Sequence, residues 1–327
     1  MKMLCFSTFL NFMNVILVLL ITFASSNEQV VINVDPSGNG HFSTIQSAIN
    51  AVPSNNVHWV YINIKNGVYK EQVSIPFDKP FIYLRGQNRR KTMVVWGAHD
   101  RIDQSATFIT QANNTIARSI TFMNSYNYPL NENKNPVTQA PAAMIAGDQS
   151  AFYHCSFIGL QDTLWDVRGR HLFKFCTIKG VVDFIFGNGQ SIYEGCTLKV
   201  VAHPRHPLVG YITAQGRSTP NDDSGFVFKD CQIIGRGRTF LGRPWRPYAR
   251  VIFYNTYMSD IVTPEGWSTW RSPQNGLTFV ENNCRGPGSN RRYRVKYMRN
   301  LSQQQLNFFT SLSFIDNHGW LKKVNYL

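Results

Sequence analysis

The feature that most constrains the fold of this chain is an imperfect internal repeat, aromatic-x-x-Cys-x-apolar-x-Gly. Its copies are Phe152/Cys155/Phe157/Gly159 and Phe173/Cys176/Ile178/Gly180, followed by Tyr193/Cys196/Leu198/Val200 and Phe228/Cys231/Ile233/Gly235. A degraded copy is Phe253/Thr256/Met258/Asp260. The cysteines are spaced by 21, 20 and 35 residues. Within a copy the Cys and the next apolar residue lie two apart, on one face of a strand. Each copy therefore reads as one short strand ending in a turn. Coils of about twenty residues, each carrying a short strand, point to a solenoid of parallel strands. A β-sandwich with cysteines placed by chance is the competing reading. Further strands are expected at Val31–Val34, Tyr61–Ile64, Phe81–Leu84 and Thr92–Val95.

Helical periodicity is confined to the two ends. Ile45, Ala48, Ile49 and Val52 form one stripe, which predicts a helix over Thr44–Val52 capping the N-terminal end of the solenoid. A second helix is expected near 301–311, with Ser302 as N-cap and Leu306, Phe309 and Leu312 at helical spacing.

Residues 1–24 have the pattern of a secretory signal. Lys2 is followed by the apolar run Val15–Phe23 and by small residues at Ala24, Ser25 and Ser26. That run is short for a membrane span, although a signal anchor has the same outline. The expected organisation is a signal over 1–24 and one catalytic domain over 25–327, secreted and not membrane-bound after signal removal. Sequons at Asn113 and Asn300 fit that route. Lys and Arg total 33 against 19 Asp and Glu, a formal charge of +14, which predicts a polyanionic partner. In a secreted protein that partner is expected to be an acidic polysaccharide and not nucleic acid. Arg291, Arg292, Arg294, Lys296 and Arg299 form the densest basic run. Five cysteines remain once Cys5 leaves with the signal, too few by one for complete internal pairing. No C-x-x-C spacing suggests a zinc site. Cysteines stacked in register on successive coils are expected to stay reduced, since neighbouring strands lie about 4.8 Å apart while a disulfide draws its Cβ atoms to ~3.8 Å.

Candidate chemistry gathers in three segments, Gln161-Asp162-Thr163-Leu164, Gly180–Gly187 and Leu241-Gly242-Arg243-Pro244-Trp245. Asp162 follows Cys155 by seven residues, and Asp183 follows Cys176 by seven. The same phase on consecutive coils would stack the two carboxylates on one outer face, about one strand spacing (~4.8 Å) apart. Two carboxylates so close do not ionise together, and the pair divides into an acid and a nucleophile or base. Asp183 lies within Val-Val-Asp-Phe-Ile-Phe, where a buried charge needs a counter-charge, and Arg243 is the candidate. Trp245 offers a flat face to a sugar ring. Gln161 and Gln139 are neutral amide donors of the kind that stabilise an oxyanion. Taken singly, each of these residues has an ordinary structural reading: a turn Asp, a surface Arg or Gln, a core Trp.

Together and in this order the motifs resemble the plant pectin methylesterases, over roughly Val31 to Leu321. The likeness begins at Gly38–Ile45 and Gly67–Glu71. It continues through Gln139-Ala140, Gly147-Asp148, the Gln-Asp-Thr-Leu and Val-Asp-Phe-Ile-Phe-Gly segments, Ile212–Arg217 and Leu-Gly-Arg-Pro-Trp. It ends at Gly286-Pro287-Gly288 and Trp320-Leu321. The resemblance implies an all-β, right-handed parallel β-helix. By position it implies Asp183 as nucleophile, Asp162 as general acid and base, and Gln161 as stabiliser of the transition state. Gln139, Arg243 and Trp245 would contact the substrate, and Trp267 would line the same cleft. The implied reaction removes methyl esters from homogalacturonan without metal or organic cofactor. A monomer acting on methyl-esterified pectin in the plant cell wall is implied, as is a proteinaceous inhibitor as a further partner. Many relatives carry an inhibitor-like N-terminal domain. Here the catalytic pattern follows the signal directly, implying a form without one. Ile102, Trp165 and Val181 depart from the common Thr, Tyr and Thr, so no substrate contact is carried over to Ile102. A pectin depolymerase on the same fold and a non-catalytic wall-binding relative remain as alternatives.

Overall fold

A computed structural model describes residues 30–202, 209–270 and 272–324, so the signal-like segment lies outside the described residues. The chain winds into a parallel β-helix whose coils contribute to three sheets of ten, eight and seven strands among the described residues. One coil runs Ser150–Tyr153, Ser156–Ile158 and Leu164–Asp166, in the ten-, eight- and seven-stranded sheets in turn. The next runs Arg170–Lys174, Thr177–Gly180 and Ile185–Gly187. All pairings are parallel and in phase: Phe152 faces Phe173, Phe157 faces Ile178, and Leu164 faces Ile185. The strands expected near 31–34, 61–64, 81–84 and 92–95 are Val30–Val34, Val60–Ile64, Ile82–Gly86 and Thr92–Trp96.

The repeat has a simple physical basis. Its aromatic residue points inward from the ten-stranded sheet, and Phe152, Phe173, Tyr193, Phe228 and Phe253 form a column with ring centroids 4.6–5.0 Å apart along it. A two-residue corner then turns the chain into the eight-stranded sheet. Its first residue adopts a left-handed conformation (Ser119, His154, Phe175, Gly195, Asp230, Asn255, Asn283), and its second points into the core. The cysteines occupy that second position. Cys155, Cys176, Cys196 and Cys231 are buried and unpaired, and Cys284 is partly buried. The thiols of Cys176, Cys196 and Cys231 donate to the carbonyls of Phe152, Phe173 and Tyr193 on the preceding coil. Burial pushes the Cys155, Cys176 and Cys196 thiols well up from their ordinary value. The motif glycine has a separate cause at Gly180, where a Cβ would stand 2.2 Å from the Cβ of Phe184.

Helix α1 (Ile45–Ala51) closes the N-terminal end, burying Ile45, Ala48 and Ile49. Its ends are satisfied from the first coils. The Glu71 carboxylate accepts from the Ile45 and Gln46 amides at 2.9 Å, and Lys79 Nζ donates to the carbonyls of Ile49, Asn50 and Val52. Both contacts complement the helix dipole. Helix α2 (Gln303–Thr310) begins with a capping box between Ser302 and Gln305. After it Phe314, Ile315, Trp320 and Leu321 cover the outer face of the ten-stranded sheet, packing with Ala151, Leu172, Ile192 and Val227. Beneath that segment the sheet is thereby buried on both faces, as parallel sheets usually are.

The basic run at 291–299 is not a uniform solvated surface. The Arg294 side chain is 3% exposed and holds Glu281 at 2.8 Å and 3.0 Å. Arg299 donates to the carbonyls of Leu277 and Asn275.

Candidate active site

Asp162 and Asp183 each stand two residues before a strand of the seven-stranded sheet, and those strands pair Leu164 with Ile185. The two aspartates therefore occupy the same corner of consecutive coils. The Gln139–Gln161 and Gln161–Val182 bridges extend the corner over three coils. Both aspartates have positive φ, 59° and 47°, a conformation that Asp tolerates better than most residues. This backbone sends each carboxylate outward into a cleft of about 300 Å³ while the chain turns inward.

The cleft is lined by Ile102, Gln139, Gln161, Asp162, Trp165, Asp183, Phe186, Ala214, Arg243, Trp245 and Trp270. Asp162 and Asp183 are 4% and 6% exposed. Their surroundings differ. Asp183 is clamped by Arg243, whose Nε and Nη2 lie 2.8 and 2.5 Å from the two carboxylate oxygens. Arg243 is itself held between two rings, with Cζ 3.8 Å from the Trp270 centroid and 4.1 Å from that of Tyr211. Asp162 has no such cation; Gln139 Nε2 donates to its Oδ2 at 2.8 Å. Burial, and then the negative charge of Asp183, push Asp162 up to about 7. Burial also raises Asp183, but the Arg243 hydrogen bonds and charge oppose it. At neutral pH the arrangement can thus present one carboxylate held as an anion beside one poised to carry a proton. Gln161 leaves its side-chain amide at the cleft wall, with no protein partner among the described residues.

Six of the seven residues singled out from sequence line this cleft. Trp245 is 39% exposed and stands edge-on to Phe186, with centroids 6.1 Å apart. The exception is Trp267. It is 1% exposed, stacks on Phe279 with centroids 4.3 Å apart, and donates through Nε1 to Glu281. It belongs to the core; Trp270, three residues on, lines the cleft. Sequence reasoning passed over Trp270 and Tyr211, gave Phe186 no role, and noted Trp165 and Ile102 only as departures from the common pattern although both line the wall. Trp165 and Phe186 stack in register on consecutive coils, a signal that the phase of the two aspartates already contained.

Comparison with known proteins gives a consistent picture. The family model described as Pectinesterase matches residues 29–318. "Probable pectinesterase 29" of Arabidopsis thaliana is 52% identical over 296 residues, covering 89% of this chain and 88% of its own. "Probable pectinesterase 55" of the same plant is 51% identical, covering 89% and 90%. Among solved structures, a pectin methylesterase from carrot superposes with a TM-score of 0.84 at 29% identity, covering 93% of this chain and 98% of that one. The pectin methylesterase PemA from Erwinia chrysanthemi gives 0.76 at 26% identity, covering 90% and 98%.

Proposed function

This chain belongs to the pectinesterase family and de-esterifies pectin, and on that premise we propose how its two buried aspartates divide the chemistry. The observation that supports the division is their asymmetry, with Arg243 clamped on Asp183 and only a neutral amide on Asp162. Asp183, kept ionised, attacks the C6 carbonyl of a methyl galacturonate. The carbonyl π electrons move to oxygen, and the Gln161 and Gln139 amides stabilise that oxyanion. As the intermediate collapses, the C6–OCH3 bond breaks and Asp162 gives its proton to the departing methoxide. Methanol leaves, and an anhydride joins Asp183 to the sugar. Asp162, now a carboxylate, takes a proton from water. The resulting hydroxide opens the anhydride, releasing a galacturonic acid carboxyl, which loses its proton to solvent, and restoring Asp183 ionised and Asp162 protonated. Trp245 provides a stacking face for a sugar ring, and Arg243 holds the nucleophile's orientation.

The same reading includes secretion to the cell wall after removal of residues 1–24, a single domain over 25–327, and action as a monomer open to a proteinaceous inhibitor. The basic charge and the signal-like segment support it. The experiment is direct. Purified protein incubated with highly methylated pectin is expected to release methanol while the polymer keeps its length. Chain shortening without methanol would indicate a depolymerase, and neither product would indicate a binding protein.

A further inference from the structure

A line of charge runs along the ten-stranded sheet, on a different face of the β-helix from the cleft. Strand pairing places Arg85, Arg118, Tyr153, Lys174, Glu194 and Lys229 side by side on six consecutive coils. Four are cations. The one acid, Glu194, is bonded to Lys174 at 2.9 Å. Arg118 and Lys229 hold no ion pair among the described residues. Adjacent strands are about 4.8 Å apart, so the line extends for roughly 24 Å.

Near its middle is a pocket of about 210 Å³. Its floor is Tyr153 and Leu172, and Leu312 and Leu321 of the C-terminal segment form one wall. Arg118, His154, Lys174 and the Lys174-paired Glu194 stand around it. At the corner Phe175 is 46% exposed and stacks on His154 with centroids 5.2 Å apart. Arg89 adds another cation there, donating to the Phe175 carbonyl at 3.2 Å. The Tyr153 hydroxyl, enclosed beneath the pocket, has no hydrogen-bond partner among the described residues. Burial first, then the charges of Arg118 and Arg89, hold His154 below its usual value. The site therefore combines a net positive line, a partly exposed ring and an apolar floor.

We propose that this line is a second binding site, for a de-esterified polyuronide. An extended polyuronide presents one carboxylate per sugar along its length, which suits a line of net positive charge, and the apolar patches of its sugar rings suit the exposed edge of Phe175. The polymer then meets the protein at two places. The cleft binds the ester, where its one lining arginine is occupied by Asp183, and the outer line retains acidic stretches already processed. The choice of a polyuronide over other polyanions rests on the functional reading given above.

The test uses the full-length secreted protein and the variant Arg118→Glu/Lys229→Glu. Polygalacturonate binding by calorimetry at low salt is expected to weaken about tenfold in the variant. Methanol release from a short, fully methylated oligogalacturonide should stay within twofold of wild type. Unchanged polygalacturonate affinity in the double variant would overturn the proposal. So would an equal loss of affinity for heparin or duplex DNA, which would mark a general polyanion surface. Failure of the wild-type protein to release methanol would instead sink the functional reading, and the polygalacturonate measurement does not depend on it.

Discussion

Asp162 and Asp183 stand at the same corner of successive coils, both with left-handed backbone, yet Arg243 hydrogen-bonds to Asp183 and not to Asp162. Arg243 reaches it from a strand two coils further on, Thr239–Pro244. Its planar fork engages both oxygens of one carboxylate, which a lysine would not do. A symmetric corner thus becomes an asymmetric pair. The energy that maintains the asymmetry is electrostatic and depends on the site being dry.

That asymmetry has a signature in stability. The folded-state value of Asp162, about 7, lies above its ordinary 3.8. The folded protein therefore keeps a proton that the unfolded chain has lost between these values. Wild-type stability should fall as pH rises through that window, and the decline should level off above pH 7. Asp162→Asn keeps an acceptor for Gln139 and removes the titration. Urea unfolding should find the variant close to wild type near pH 4 and more stable at pH 8, by up to about 4 kcal/mol. Its methanol release should drop by roughly 10²–10⁴-fold. A stability difference independent of pH would remove the case for a protonated Asp162.

The two tryptophans separate a substrate face from a core element. Trp245→Ala should raise KM about tenfold with a smaller change in kcat, because a stacking surface binds ground and transition states alike. Trp267→Phe keeps the stack on Phe279 but removes the donor to Glu281, which is buried with Arg294. It should cost about 1–3 kcal/mol of stability and leave KM unchanged. Steady-state kinetics with thermal unfolding distinguishes the two; a KM effect at Trp267 would return it to the cleft.

The cysteine column provides a test of register. Thiol labelling of the native protein should leave Cys155, Cys176, Cys196 and Cys231 unmodified, and labelling after denaturation should modify all four. A disulfide between Cys155 and Cys176 found by peptide mapping would mean that the coils are out of phase. The stacking of Asp162 on Asp183 would then fail with it.

These residues also mark how far the sequence could be read. The Phe and Cys of each repeat were legible because an inward position on every coil must be refilled with a similar shape, and Asp162 and Asp183 inherit that phase. The end helices were legible from signals as local as the Ile45, Ala48 and Ile49 stripe and the Ser302 cap. Five of the seven strands in the seven-stranded sheet, such as Leu164–Asp166, are three residues long and carry no period of their own. Trp267 and Trp270 are chemically identical and three residues apart. Only the distant Glu281 and Phe279 decide which one turns inward. Arg294 belongs to a basic run by sequence but to a buried ion pair in three dimensions, for the same reason. The outer line from Arg85 to Lys229 becomes visible only once the coil lengths are known.

Replacing the Asp183 carboxylate tests the central claim most directly. In Asp183→Asn the amide remains close in shape and can still bond to part of the Arg243 fork, but it cannot act as the nucleophile. With unchanged circular dichroism and cooperative unfolding, methanol release from methylated pectin should fall by roughly 10³-fold or more. Methanol release within tenfold of wild type would contradict the covalent mechanism and the roles given to both aspartates.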